Sequence, residues 1–174
     1  MNEEWVPGYT KQVKNILTDE TIRKVLQGYL RTSLRSNLTH WEEKLVGTSG
    51  PIFLYELTHE LMQEIKDQVC KHLPEDAVPL PWSITYTVGS RYSYLSWHSD
   101  VIYDYSCTIY LNKDWDKEYH GYLMYESPDG LRAVLPEYNN AFFFKPPLQH
   151  STTMQTIQAP LRHSLQIFVG KGLK

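Results

Sequence analysis

A chain of 174 residues with a 41% hydrophobic fraction is long enough to bury a sizeable core as one domain. Its 17 Lys and Arg stand against 20 Asp and Glu, and the net charge of −3 leaves no basic footprint for nucleic acid or an anionic membrane surface. The only two cysteines, Cys70 and Cys107, make no disulfide framework and read as reduced core thiols in a cytoplasmic setting. No apolar run is long enough to span a bilayer, and residues 1–4 carry no signal-peptide pattern.

The first eighty residues read as helical. Thr18-Asp19-Glu20 opens a run with Ile22, Val25, Leu26 and Leu30 on one side, and its acidic start suits the helix dipole. Thr58 can cap a second helix, where Leu61, Ile65, Val69 and Leu73 recur every four residues and Met62 widens the stripe. Pro74 and the run Pro79-Leu80-Pro81 then stop helical structure. Past Pro81 the period becomes two. Trp82, Ile84, Tyr86 and Val88 alternate with small polar residues up to Gly89, and Tyr105, Cys107, Ile109 and Leu111 do the same. Further short strands are predicted at 121–126, 131–135 and 141–145 and from Thr152 on, with Ser127-Pro128-Asp129-Gly130 as a turn. Helices followed by about eight antiparallel strands suggest a mostly β jelly-roll, cupin-like barrel buttressed by N-terminal helices.

Four residues carry the chemistry: His98, Asp100, His150 and Arg162. In the extended run 94–100, side chains two apart leave the same face, so His98 and Asp100 can meet one metal. A distant His150 completes two imidazoles and one carboxylate, the facial triad of non-heme Fe(II) oxygenases, which leaves positions open for a co-substrate and dioxygen. Arg162 begins a strand-like run on the face shared by Ser164 and Gln166, where a fixed guanidinium fork can grip the far carboxylate of 2-oxoglutarate. Read singly, His-x-Asp is a common pair and His150 an ordinary loop histidine; the weight lies in all four together. His40, His59, His72 and His120 have no partner at metal spacing, and His163 should point away from Arg162.

From about 82 to 170 the chain resembles the Fe(II)/2-oxoglutarate-dependent dioxygenases, in particular the prolyl 4-hydroxylase-like branch. The resemblance rests on Tyr86-x-x-Gly89, His98-x-Asp100, Gly121-Tyr122-Leu123, His150 and Arg162-x-Ser164. The run Tyr110-Leu111-Asn112-Lys113-Asp114-Trp115-Asp116 is similar to one in the oxygen-sensing prolyl hydroxylases. It implies one domain over 1–174, with a mainly helical support at 1–81 and a catalytic double-stranded β-helix at 82–170. By the resemblance, His98, Asp100 and His150 bind iron and Arg162 pairs with 2-oxoglutarate. Tyr110 bonds the same carboxylate, Tyr86 bonds the co-substrate near the metal, Ser164 adds a donor and Leu123 is an apolar wall. Fe(II) is then the cofactor, 2-oxoglutarate and dioxygen are co-substrates, and ascorbate is an optional reductant. The presence of Asp100 sets the chain apart from halogenating relatives.

The chain departs from that family in a longer Tyr86–His98 spacing and a short loop at 101–104, so the oxygen-sensing role does not carry over. The leading expectation is hydroxylation of an amino-acid side chain, prolyl by resemblance, in a protein or peptide. An open groove lined by Tyr92, Tyr94, Trp97 and Tyr103 would suit such a substrate. The alternative is a hydroxylase of a free amino acid or another small metabolite. AlkB-type demethylation of nucleic acid has a local likeness at Trp97-His98-Ser99-Asp100 but stands against the acidic balance. A cupin-like binding module would have lost a ligand or the arginine.

Overall fold

The structure, a computed structural model, describes residues 5–29, 35–36, 48–49 and 52–170. In chain order these form β1 (Thr10–Lys14), α1 (Asp19–Tyr29), β2 (Arg35–Ser36), β3 (Thr48–Ser49), β4 (Ile52–Tyr55) and α2 (His59–Val69). They continue with β5 (Trp82–Gly89), β6 (Tyr94–His98), β7 (Tyr105–Tyr110), β8 (Leu123–Ser127), β9 (Gly130–Val134), β10 (Asn140–Phe144), β11 (His150–Thr152) and β12 (Arg162–Val169). The strands make two antiparallel sheets. One has seven strands in the order β1-β10-β7-β12-β5-β4-β2, the other five in the order β3-β6-β11-β8-β9.

Alternation decides how the layers stack. In β7, Tyr105, Cys107 and Ile109 face a core shared with Ile22 and Val25 of α1 and Ile65 and Val69 of α2. Tyr110, one residue on, joins Leu123, Val134, Phe142, Phe144 and Leu148 in a second core between the sheets. The seven-stranded sheet is thus covered on both faces, as the wholly buried β7 and β10 require. Phe142, Phe143 and Phe144 send alternate rings into the two cores, and truncating one such side chain costs about 3–5 kcal/mol.

Both predicted helix starts are capped. Thr18 Oγ1 accepts from the Thr21 N–H at 3.2 Å, and Thr58 Oγ1 from that of Leu61 at 3.3 Å. Leu30 and His40 lie outside the described residues. The Ser127–Gly130 turn closes the β8–β9 hairpin, with Gly130 at φ +111°. Among the described residues no helix is long and apolar enough to cross a membrane.

The first eighty residues are more than helical. Strand β1 pairs with β10, β4 with β5, β2 with β4 and β3 with β6, so the N-terminal half supplies strands to both sheets. The reason is local. Strand β1 (TKQVK) carries a single strongly apolar residue between lysines, the habit of a protected edge. The run Ile52-Phe53-Leu54-Tyr55 is continuously apolar, a pattern that periodicity cannot assign.

Candidate active site

Strand pairing assembles the predicted triad. β11 runs antiparallel to β6 with His150 directly opposite His98, and their ring centroids are 4.2 Å apart. Asp100 follows β6 by two residues, and its Oδ2 lies 3.7 Å from His150 Nε2. One ligand atom from each of the three lies within 4.8 Å of the others, close enough to share one ion.

The backbone sets the tautomers. His98 Nδ1 is 2.8 Å from Ser96 O and His150 Nδ1 is 2.9 Å from Leu148 O. A carbonyl only accepts, so each Nδ1 carries the hydrogen and each Nε2 keeps its lone pair for a metal. Burial pushes the His150 pKa down, against the pull of Asp100 and with the help of His98, which favours the neutral ligating form. Phe144 packs on the His150 ring at 4.8 Å between centroids, and Ser106 Oγ donates to Asp100 Oδ2 at 3.4 Å.

The second part of the site is a buried cation. β12 begins at Arg162, opposite Gly89 at the end of β5, while Ser164 sits opposite Tyr110 of β7. Arg162 is 7% exposed. Its Nη1 donates to Gly121 O at 2.9 Å, and its Nε is buried without a partner among the described residues. No carboxylate of the described residues pairs with it. Burial pulls its pKa below the ordinary guanidinium value, yet a guanidinium stays charged at neutral pH. Burial pushes the Tyr110 phenol up to about 12, with Arg162 opposing, so Tyr110 remains a neutral donor. A buried guanidinium with spare donors near a protonated phenol could hold a carboxylate.

The remaining predicted residues divide. Leu123 is buried in the core between the sheets, as an apolar wall should be. Ser164 is buried on the Arg162 face, but its Oγ is already within 2.7 Å of Thr87 Oγ1. Tyr86 is a correction. It lies in the helix-side core, and its hydroxyl bonds His163 Nδ1 on that side of the sheet. Alternation along β5 forces this, because Thr87 faces Ser164 and its neighbour must point the other way. His163 accordingly points away from Arg162, and Trp115 donates Nε1 to His120 O at 2.9 Å.

One buried neighbour of Arg162 escaped the sequence pattern. Gln155, in the loop between β11 and β12, fills the space above Gly89 and Gly121 beside the guanidinium. No periodicity marks a loop glutamine, and Gly121 was the one signal nearby.

No protein-family model matches the sequence, and no curated protein matches it. Solved structures do match. A Pseudomonas putida prolyl-4-hydroxylase superposes with a TM-score of 0.70 at 15% identity, covering 94% of this chain and 93% of that one. A Trichoplax adhaerens prolyl hydroxylase, in complex with a hypoxia inducible factor oxygen degradation domain peptide fragment, gives a TM-score of 0.72 at 11% identity over 92% and 83%. HygX from Streptomyces hygroscopicus, with nickel and 2-oxoglutarate bound, gives 0.68 at 9% identity over 94% and 84%. The chain therefore has the jelly-roll fold that these prolyl hydroxylases and 2-oxoglutarate-binding proteins share.

Proposed function

We propose that the protein is an Fe(II)- and 2-oxoglutarate-dependent dioxygenase that hydroxylates an amino-acid side chain, prolyl by preference, in a protein or peptide. The observation that carries this reading is the pairing of a two-His, one-carboxylate group with a buried guanidinium that has no carboxylate of its own among the described residues. The donor set fits the ion: two imidazole Nε2 atoms and one carboxylate suit Fe(II) with positions left open. The Arg162 guanidinium, buried with no carboxylate partner among the described residues, fits the co-substrate, because a buried cation is stabilised by an anion that arrives with it.

When bound, iron with 2-oxoglutarate would activate dioxygen as the oxidant, one oxygen atom going to succinate as carbon dioxide leaves and the other to the hydroxylated C–H bond. The chain's own residues hold and orient. His98, Asp100 and His150 would hold the ion, their tautomers fixed by the Ser96 and Leu148 carbonyls. Arg162 and Tyr110 fix the far carboxylate of the co-substrate, and Ser164 with Thr87 lines the same sheet face. Leu123, Phe142 and Phe144 exclude water from the interior. The unpaired Cys70 and Cys107 fit a reducing, cytoplasmic setting.

A prolyl target is supported by prolyl hydroxylases among the similar folds, one of them holding a peptide. At the surface, Tyr92 and Trp97 are exposed together with Val101 and Ile102 after Asp100, and Tyr103 stacks on Phe168 at 4.3 Å between centroids. The small-molecule reading has its own support in HygX, which is also known with hygromycin B bound. Succinate formation from 2-oxoglutarate with Pro-containing peptides, free amino acids or neither separates the two. Stimulation by peptides alone supports the proposal; stimulation by a free amino acid alone replaces it with the metabolite reading.

A further inference from the structure

Gln155 is fully buried, and its backbone is held at both polar groups. Its N–H donates to Ser93 O at 3.2 Å, and its carbonyl accepts from Tyr92 N at 3.1 Å. The side-chain Nε2 donates to Ser93 Oγ at 2.5 Å, which leaves Oε1 buried and without a partner among the described residues. Arg162 Nε is buried and unpartnered in the same way. One orphan is an acceptor, the other a charged donor.

Two glycines bring them together. A Cβ on Gly89 would lie 2.8 Å from Gln155 Nε2, 2.8 Å from Ser93 Oγ and 3.7 Å from Arg162 Nε. A Cβ on Gly121 would lie 3.1 Å from Gln155 Cγ and 3.5 Å from Arg162 Nη1. Gly121 has φ +72°, so its backbone alone accounts for glycine there. Gly89 has no such backbone demand. It closes a strand in ordinary conformation, and space for the amide is what a side chain would take away.

We propose that Gln155 is a positioning residue for the Arg162 guanidinium. The two orphans are neighbours across Gly89 but do not bond each other here; a small turn of the amide brings Oε1 onto the Nε–H hydrogen while Gly121 O holds Nη1, and three of the five N–H groups then remain for the incoming carboxylate. The choice of glutamine follows. Ser93 orients the amide so that its spare atom is an acceptor, the polarity a guanidinium requires. A glutamate there would neutralise the cation and compete with the ligand; a glutamine anchors it and leaves its charge intact. This inference rests on the reading that Arg162 binds the far carboxylate of 2-oxoglutarate.

The test is calorimetric titration of nickel(II)-loaded protein with 2-oxoglutarate and with 2-oxopentanoate, which has a methyl group in place of the far carboxylate. Gln155→Leu should weaken 2-oxoglutarate by about tenfold or more, the size of a hydrogen bond to a charged group. It should leave nickel and 2-oxopentanoate binding within about twofold. Equal weakening of both oxo acids, loss of nickel, or no change at all would each overturn the proposal, the first two by making Gln155 a scaffold residue. Gln155→Glu is the second arm, because its carboxylate can pair with Arg162 and so keep the fold. It should raise the melting temperature of the ligand-free protein and abolish the shift that 2-oxoglutarate gives; a retained shift counts against the proposal. If the wild-type protein binds both oxo acids equally, the carboxylate reading of Arg162 itself fails, and the inference with it.

Discussion

Replacing Arg162 with methionine should move stability and co-substrate affinity in different directions. In the ligand-free protein the guanidinium is 7% exposed, makes one bond to Gly121 O at 2.9 Å and has no carboxylate partner among the described residues. Its removal forfeits that charge-assisted bond, about 1.5–3 kcal/mol. It also relieves the desolvation of an unpaired buried cation, several kcal/mol. The two offset, so the melting temperature should hold or rise. With 2-oxoglutarate present the balance reverses, because the ligand's carboxylate would be buried without its partner. That costs about 3–5 kcal/mol, or on the order of 10²- to 10⁴-fold in affinity. Thermal unfolding of the ligand-free protein and calorimetry on the nickel-loaded protein read the two quantities separately. A fall of more than about 6 °C, equivalent to roughly 2 kcal/mol in a domain of this size, with affinity retained would show that Arg162 is structural and refute the reasoning.

The remaining expectations concern the triad, the corrected tyrosine and a buried histidine. His98→Ala or Asp100→Ala should abolish iron-dependent turnover while circular dichroism and cooperative melting persist; full activity in either variant would remove that residue from the metal site. Tyr110→Phe should weaken 2-oxoglutarate binding about tenfold, whereas Tyr86→Phe should leave it unchanged, since Tyr86 faces the helices; calorimetry that reversed the order would contradict the face assignment. Burial holds the pKa of His163 below its ordinary 6.5. The unfolded chain therefore binds a proton that the folded ring resists as pH falls through about 6.5, so this contribution is complete above that pH and is lost below it, down to the folded pKa. Urea unfolding of metal-free protein at about pH 7.5 and 5.5 should show that loss, and His163→Gln should lessen it; an equal loss in the variant would exclude His163 as its source.

The parts legible in the sequence were those governed by alternation and by local caps. Trp82 to Gly89 and Tyr105 to Tyr110 alternate strictly because each strand lies between two chemically different layers, so strand and face follow from the pattern. The metal residues could be read because an i, i+2 pair leaves one side of an extended strand. What could not be read depended on partners distant in sequence. Strand β1 is a strand because β10 offers it an edge, and its own residues carry little apolar signal. Tyr86 faces the helices, as its alternation with Thr87 requires, and the resemblance that ties it to the co-substrate says nothing about the pleat. Gln155 lies in an irregular loop, and its position beside Arg162 exists only once β5, β12 and the residues around Gly121 have come together.

The central claim, that His98, Asp100 and His150 hold a catalytic iron while Arg162 binds 2-oxoglutarate, is tested most directly by succinate formation from 2-oxoglutarate under air, with and without Fe(II), in wild type and His98→Ala. The expected result is iron-dependent succinate in the wild type and none above background in the variant. Equal succinate in both, or none in the wild type once iron and co-substrate are saturating and substrate candidates are supplied, would contradict the assignment.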